Sequence, residues 1–151
     1  MLARTLCVAV ILLGLMVSPS QADTKADPTD VLGSWSFQTK PYRQGQCIMT
    51  GTMRLTTAPE AGLYACELTA MEVCSMWGRS VVLQACTARR FGNQVSIRSE
   101  IKQMLENKTE GLYYVPDNFS LTIQDAGRMW GALVSASTAP VEFRRTEDGV
   151  S

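Results

Sequence analysis

The chain has 151 residues, its 14 Lys and Arg residues are balanced by 14 Asp and Glu residues, and it contains no histidine. A near-neutral chain without a basic run lacks the electrostatic footprint with which proteins bind nucleic acids or anionic membranes, so we expect neither partner. The absence of histidine excludes Ser-His-Asp and Cys-His catalytic sites and zinc-hydrolase motifs of the H-E-x-x-H kind.

The first 22 residues have the pattern of a removable signal peptide. Arg4 precedes the apolar run Cys7–Val17, and a Pro/Ser break then leads to the small-x-small sequence Ser20-Gln21-Ala22. The apolar run is much shorter than the about 20 residues that a membrane-spanning helix needs. We therefore predict cleavage after residue 22, export to the periplasm or the extracellular space, and no stable membrane insertion of the mature chain.

The mature chain is predicted to consist of a flexible polar lead-in, residues 23–30, and a single domain, residues 31–151. Within that domain apolar and polar residues alternate with period two in short segments that Gly, Pro, Asn and Asp interrupt, which is typical of half-buried strands. The predicted strands are Gly33–Thr39, Gln46–Thr57, Gly62–Met76, Ser80–Phe91, Gln94–Ile101, a strand through Phe119, Leu121 and Ile123, Arg128–Ser137 and Val141–Arg145.

Two segments also allow a helical interpretation. In the third predicted strand, Leu68, Met71 and Cys74 recur at three-residue spacing, but the apolar residues at period two favour a strand. The polar segment Lys102–Gly111 is predicted to be a helical turn. About eight strands joined by short turns predict an all-β, antiparallel up-and-down barrel, which leaves no exposed sheet edge.

Four cysteines remain after signal cleavage: Cys47, Cys66, Cys74 and Cys86. An even number of cysteines in a small exported domain predicts two disulfides, and the long spacings without histidine disfavour a metal site. If the hairpin turn is centred near Glu60 and Ala61, Cys47 lies opposite Cys74. Cys66 is then left to pair with Cys86 on an adjacent strand, within a few residues of register and with the help of a bulge. Each bond would stabilise the fold by about 2–4 kcal/mol.

The remaining residues offer little catalytic chemistry. Glu67 and Glu72 are the nearest pair of carboxylates for glycosidase-type acid–base catalysis, but a solvated barrel face accounts for them better. We therefore expect no enzymatic activity, no cofactor and no metal. Six methionines could line a small apolar ligand site, although methionine more often fills a core: Met49, Met53, Met71, Met76, Met104 and Met129.

Both ends of the predicted domain resemble the calycin pattern. Gly33-Ser34-Trp35 opens the first strand and Phe143-Arg144-Arg145 ends the last strand. The resemblance implies a calycin- or lipocalin-like barrel in which Gly33 and Trp35 close one end under Arg144 or Arg145, an indole–guanidinium contact of the cation–π kind.

Three stretches resemble the bacterial periplasmic metalloprotease-inhibitor (Inh-type) family: Leu32–Trp35, Gln46-Cys47 and Pro116–Gly127. That resemblance implies that the segment before the barrel enters the cleft of a secreted protease. The protease-contacting residues would then be Asp23, Thr24, Lys25, Ala26 and Asp27.

The resulting hypothesis is an exported, non-enzymatic binding protein, with protease inhibition as its narrowest form. The alternatives are a lipocalin-type carrier of a small apolar ligand and an envelope protein with a structural or interaction role.

Overall fold

A computed structural model of the chain describes residues 30–107, 111 and 113–147. Their strands are β1 (Gly33–Thr39), β2 (Cys47–Thr57), β3 (Leu63–Cys74), β4 (Gly78–Phe91), β5 (Gln94–Asn107), β6 (Asn118–Asp125), β7 (Arg128–Val134) and β8 (Thr138–Arg145). Each strand pairs antiparallel with the next, and β8 pairs with β1, so the barrel is closed. The predicted fold class is thus confirmed. The described residues include no helix with the length and apolarity that crossing a bilayer requires.

The predicted helical turn at Lys102–Gly111 is wrong, because β5 continues as a strand to Asn107. Two register shifts in the β4–β5 pairing place Ile101 opposite Gln84 and Met104 opposite Val82. Between these two pairs β4 advances by two residues, whereas β5 advances by three. β-bulges of this kind keep a strand paired while changing which of its residues face inward. Ile101 and Met104 are therefore both half-buried, although they are three residues apart on the strand.

The middle of the barrel is filled by three phenylalanines in mutual contact. The ring of Phe37 stacks on Phe143 with centroids 4.9 Å apart, and Phe119 meets both rings edge-on. A Cβ atom at Gly51 would overlap the Phe37 ring, so the glycine provides the space that this ring occupies. An eight-stranded barrel is just wide enough for side chains to fill, and here they fill it.

Both disulfides form as predicted. Cys47 bonds Cys74 across the β2–β3 pairing, and Cys66 bonds Cys86 across the β3–β4 pairing. In each case the two cysteines occupy directly opposed positions of antiparallel neighbours, with Cα atoms 4.1 Å and 4.8 Å apart. The bulge expected for Cys66–Cys86 is not needed, because these two residues are in register.

One barrel end is closed by Trp35, which is 1% exposed. Its indole Nε1 donates a hydrogen bond to the carbonyl of Val31, 2.9 Å away, and the guanidinium of Arg145 lies 4.4 Å from the ring centroid. Arg145 also donates to the backbone carbonyls of Asp30, Leu32 and Ala126. A single side chain therefore covers the indole and ties the incoming chain to the β6–β7 turn.

Of the two terminal arginines named as candidates, Arg145 forms this closure and Arg144 takes no part in it. Strand alternation turns it outward, where its guanidinium pairs with Glu142 at 3.1 Å. Gly33 has a φ of 108°, a conformation that favours glycine, and a Cβ atom there would lie 3.2 Å from Nη1 of Arg145. Gly33 thus lets the chain pass beneath the guanidinium.

Trp35→Ala should lower the free energy of unfolding by about 3–5 kcal/mol, because it removes a large buried aromatic side chain and leaves a cavity. The matched control is Trp130→Ala, since Trp130 is 54% exposed on the barrel's outer face and should cost less than about 1 kcal/mol. Urea unfolding with the disulfides intact measures both values. Equal losses in the two variants would contradict the closed-end assignment.

Candidate functional site

The barrel mouth, at the end opposite Trp35, contains a small pocket. It lies among the β1–β2, β5–β6 and β7–β8 connections and has a volume of about 100 Å³. Its floor includes Met49 and Leu133, which are both buried. The polar side chains that line it are Tyr42, Arg43, Glu72, Asn107, Tyr113, Tyr114 and Asp117, with the hydroxyls of Ser80, Ser135 and Ser137.

The β1–β2 connection places Tyr42 beside the Cys47–Cys74 disulfide. The chain reverses through Arg43 and Gln44, which have φ values of 50° and 60°, so that Tyr42 and Cys47 exchange backbone hydrogen bonds of 2.9 and 3.1 Å. The Tyr42 hydroxyl then donates to Oε1 of Glu72. Burial, followed by this hydrogen bond and the Glu72 charge, raises the pKa of Tyr42 far above its ordinary value.

A gap in the barrel wall positions the other half of the pocket. The pairing of β5 with β6 covers only Gln94–Ile97, and beyond it the Ser99 amide donates to Oδ1 of Asn118 at 2.9 Å. The chain before β6 enters this gap and meets Gln84 of β4. The Gln84 side chain donates to Oδ2 of Asp117 at 2.7 Å and accepts from the Asp117 amide at 2.9 Å, so two hydrogen bonds join β4 to the chain before β6.

Asp117 is a fully buried carboxyl group, with 0% of its surface exposed. Its Oδ2 also accepts a 2.8 Å hydrogen bond from the Tyr114 hydroxyl, whereas its Oδ1 has no hydrogen-bond partner among the described residues. The nearby Ser135 hydroxyl donates instead to the carbonyl of Val115, at 3.0 Å. Burial raises the pKa of Asp117 to about 6, and the Glu72 charge adds to that rise; the hydrogen bonds from Tyr114 and Gln84 and the nearby Ser135 hydroxyl oppose it.

Arg43 supplies positive charge at the rim of the pocket. Its Nε donates to the Ser137 hydroxyl at 2.8 Å, and its guanidinium lies 5.1 Å from the centroid of the Trp77 ring. These contacts hold the cation on the rim, between the β1–β2 and β7–β8 connections.

The structure does not bring the predicted carboxylate pair together. Glu67 and Glu72 are five residues apart on β3, so they lie on opposite faces; Glu67 is exposed, whereas Glu72 lines the pocket. Glu72 also lies near Cys47 and Cys74, but the disulfide occupies both sulfur atoms and leaves no thiolate to bind a metal.

The six methionines do not line a common site. Met49, Met53 and Met129 are buried in the core, whereas Met76 is 69% exposed and Met71 lies on the outer face of β3. The residues named as protease-contacting, Asp23, Thr24, Lys25, Ala26 and Asp27, lie outside the described residues.

Sequence reasoning missed most residues of the pocket and its wall, among them Tyr42, Gln84, Tyr114 and Asp117. One signal was available, because Gln84 interrupts the inward-facing series Val82, Cys86 and Ala88 of β4. A polar side chain at a buried position needs a hydrogen-bond partner inside the fold. The identity of that partner, 33 residues away, could not be read from the local pattern.

The sequence matches no protein-family model and no curated protein. Among solved structures, the chain is similar to a de novo designed fluorescence-activating β-barrel, with a TM-score of 0.50 and 15% sequence identity. The match covers 76% of this chain and 93% of the designed one. At that identity the likeness concerns the barrel fold alone.

Asp117→Asn should change how stability depends on pH. A carboxyl whose pKa rises on folding, here from 3.8 to about 6, holds its proton more tightly in the folded state. Its contribution to stability is therefore present at low pH and lost as pH rises through that interval, by up to about 3 kcal/mol. The difference between the wild-type and variant unfolding free energies, measured across this range, should fall with pH and then level off. A difference in unfolding free energy that stays constant or rises with pH would contradict the raised pKa of Asp117.

Proposed function

We propose that this protein is an exported, non-enzymatic binding protein whose binding site is the pocket at the barrel mouth. The observation that carries the proposal is the contrast between the filled interior and the polar mouth. Phe37, Phe119 and Phe143 occupy the middle of the barrel, whereas Glu72 and Asp117 line a pocket at its end.

The size of the pocket favours binding of a small polar group over binding of a lipocalin-type apolar ligand or a sugar. Its volume of about 100 Å³ is well below the roughly 300–1,000 Å³ of pockets that enclose drug-sized ligands. A lipocalin-type apolar ligand or a sugar ring would therefore not fit within it. A small polar molecule, or one side chain of a larger partner, would.

Two features support export. The signal-peptide pattern of residues 1–22 predicts it, and the two disulfides suit an oxidising compartment.

The mouth proposal is tested by adding the small-molecule fraction of the source periplasm or medium to isotope-labelled mature protein and mapping the amide shifts by NMR. Shifts should centre on Tyr42, Glu72 and Asp117, because these residues line the pocket. Glu72→Gln should weaken them, and the control Glu67→Gln, on the outer face of the same strand, should not. Shifts centred on Trp35, or no shifts, would contradict the proposal.

Protease inhibition is a second candidate, and one contact favours it. Arg145 donates hydrogen bonds to the backbone carbonyls of Asp30 and Leu32 at the closed end. Asp30, where the preceding segment joins the barrel, is therefore anchored at the end remote from the mouth. In this hypothesis an extended segment enters the protease cleft while the barrel rests on its rim.

Deleting residues 23–29 should abolish inhibition of a secreted metalloprotease while leaving the melting temperature nearly unchanged, since the Arg145 contacts begin at Asp30. Inhibition assays and thermal unfolding of the two proteins measure these effects. Inhibition that survives the deletion would place the inhibitory surface elsewhere, and an intact protein that inhibits no such protease would exclude this function.

A further inference from the structure

The pocket at the barrel mouth carries more negative than positive charge. Among the described residues that line it, Glu72 and Asp117 are acidic and Arg43 is basic. Arg43 is engaged at the rim with Ser137 and Trp77. The two carboxyl groups are close enough for the Glu72 charge to raise the pKa of Asp117, so a cation between them would relieve their repulsion.

One buried acceptor of the pocket has no hydrogen-bond partner among the described residues. Asp117 is fully buried, its Oδ2 accepts from Gln84 and Tyr114, and its Oδ1 has no partner among the described residues. Leaving a buried acceptor unsatisfied is costly, and more so when it is charged. A ligand that donates an N–H group to Oδ1 would supply the missing hydrogen bond.

We propose that the pocket binds a primary ammonium group on a short aliphatic stem, with the ammonium between Glu72 and Asp117 and the stem against Tyr42, Tyr114 and Leu133. This inference rests on the proposed function and specifies its ligand class. An ammonium has three N–H donors, which can be shared between the two carboxylates. The aromatic rings of Tyr42 and Tyr114 add a surface that attracts cations.

A metal ion fits the same residues less well. The nearby cysteines are bonded to each other, which leaves two carboxylates as the main charged ligands, whereas hard cations such as Ca²⁺ take six to eight oxygens. The ammonium could belong to a free amine or to a lysine side chain of a partner, and the two sources share this chemistry.

The test is a titration of the mature protein at neutral pH with n-propylammonium, followed by NMR shifts of the pocket residues. Matched probes are n-propanol, which is neutral, and propionate, which is anionic. We expect the ammonium to bind at least tenfold more tightly than either. A capped lysine amide distinguishes the sources: binding comparable to that of propylammonium admits a partner's lysine, and its failure to bind restricts the ligand to free amines.

Variants test the charges separately. Glu72→Gln should weaken ammonium binding at least tenfold, and Glu67→Gln should leave it unchanged because that side chain is exposed on the outer face. Arg43→Gln should strengthen it by removing the competing cation. Binding should weaken below the pKa of Asp117, about 6, as that carboxyl is protonated, and Asp117→Asn should remove this pH dependence.

Equal binding of propanol, tighter binding of propionate, or an unchanged affinity in Glu72→Gln would overturn the ammonium proposal. If those probes still shift the mouth residues, the mouth remains the binding site and only the ligand class is wrong. If none of the probes binds at the mouth, the ammonium proposal fails, and the independent test with the periplasmic or medium fraction decides the broader function.

Discussion

The closure of eight strands into a barrel is the constraint on which the rest of this structure depends. A barrel of this size has an interior that side chains can fill, and Phe37, Phe119 and Phe143 fill it in mutual contact. Two glycines adapt the wall to this packing. A Cβ atom at Gly51 would overlap Phe37, and one at Gly131 would overlap the carbonyl oxygen of Ser120 on the neighbouring strand.

The filled middle separates two ends with different chemistry. At the closed end, Arg145 covers Trp35 and satisfies three backbone carbonyls. At the mouth, the Cys47–Cys74 disulfide lies two residues from Glu72 on the same strand face and restrains the backbone that carries it. The buried polar side chains Gln84 and Asp117 satisfy each other by hydrogen bonds in the wall, and the remaining polar groups of the pocket lie at its open end.

Local alternation and hairpin geometry were enough to predict most of the barrel and both disulfides, because each depends on residues that are near in sequence or directly opposed across a turn. The prediction failed where the β4–β5 pairing shifts register. There Ile101 and Met104 are both half-buried at three-residue spacing, a spacing that also characterises a helix. The pocket was missed for a different reason: Gln84 and Asp117 meet across a gap in the wall, which depends on the closed barrel as a whole.

The most direct measurement is a crystal structure of the mature protein grown at neutral pH with n-propylammonium. We expect the ammonium nitrogen within hydrogen-bond distance of Glu72 and of Oδ1 of Asp117, with no ligand density among the three phenylalanines. A pocket that holds only water at saturating ligand, or ligand bound in the barrel interior, would contradict it.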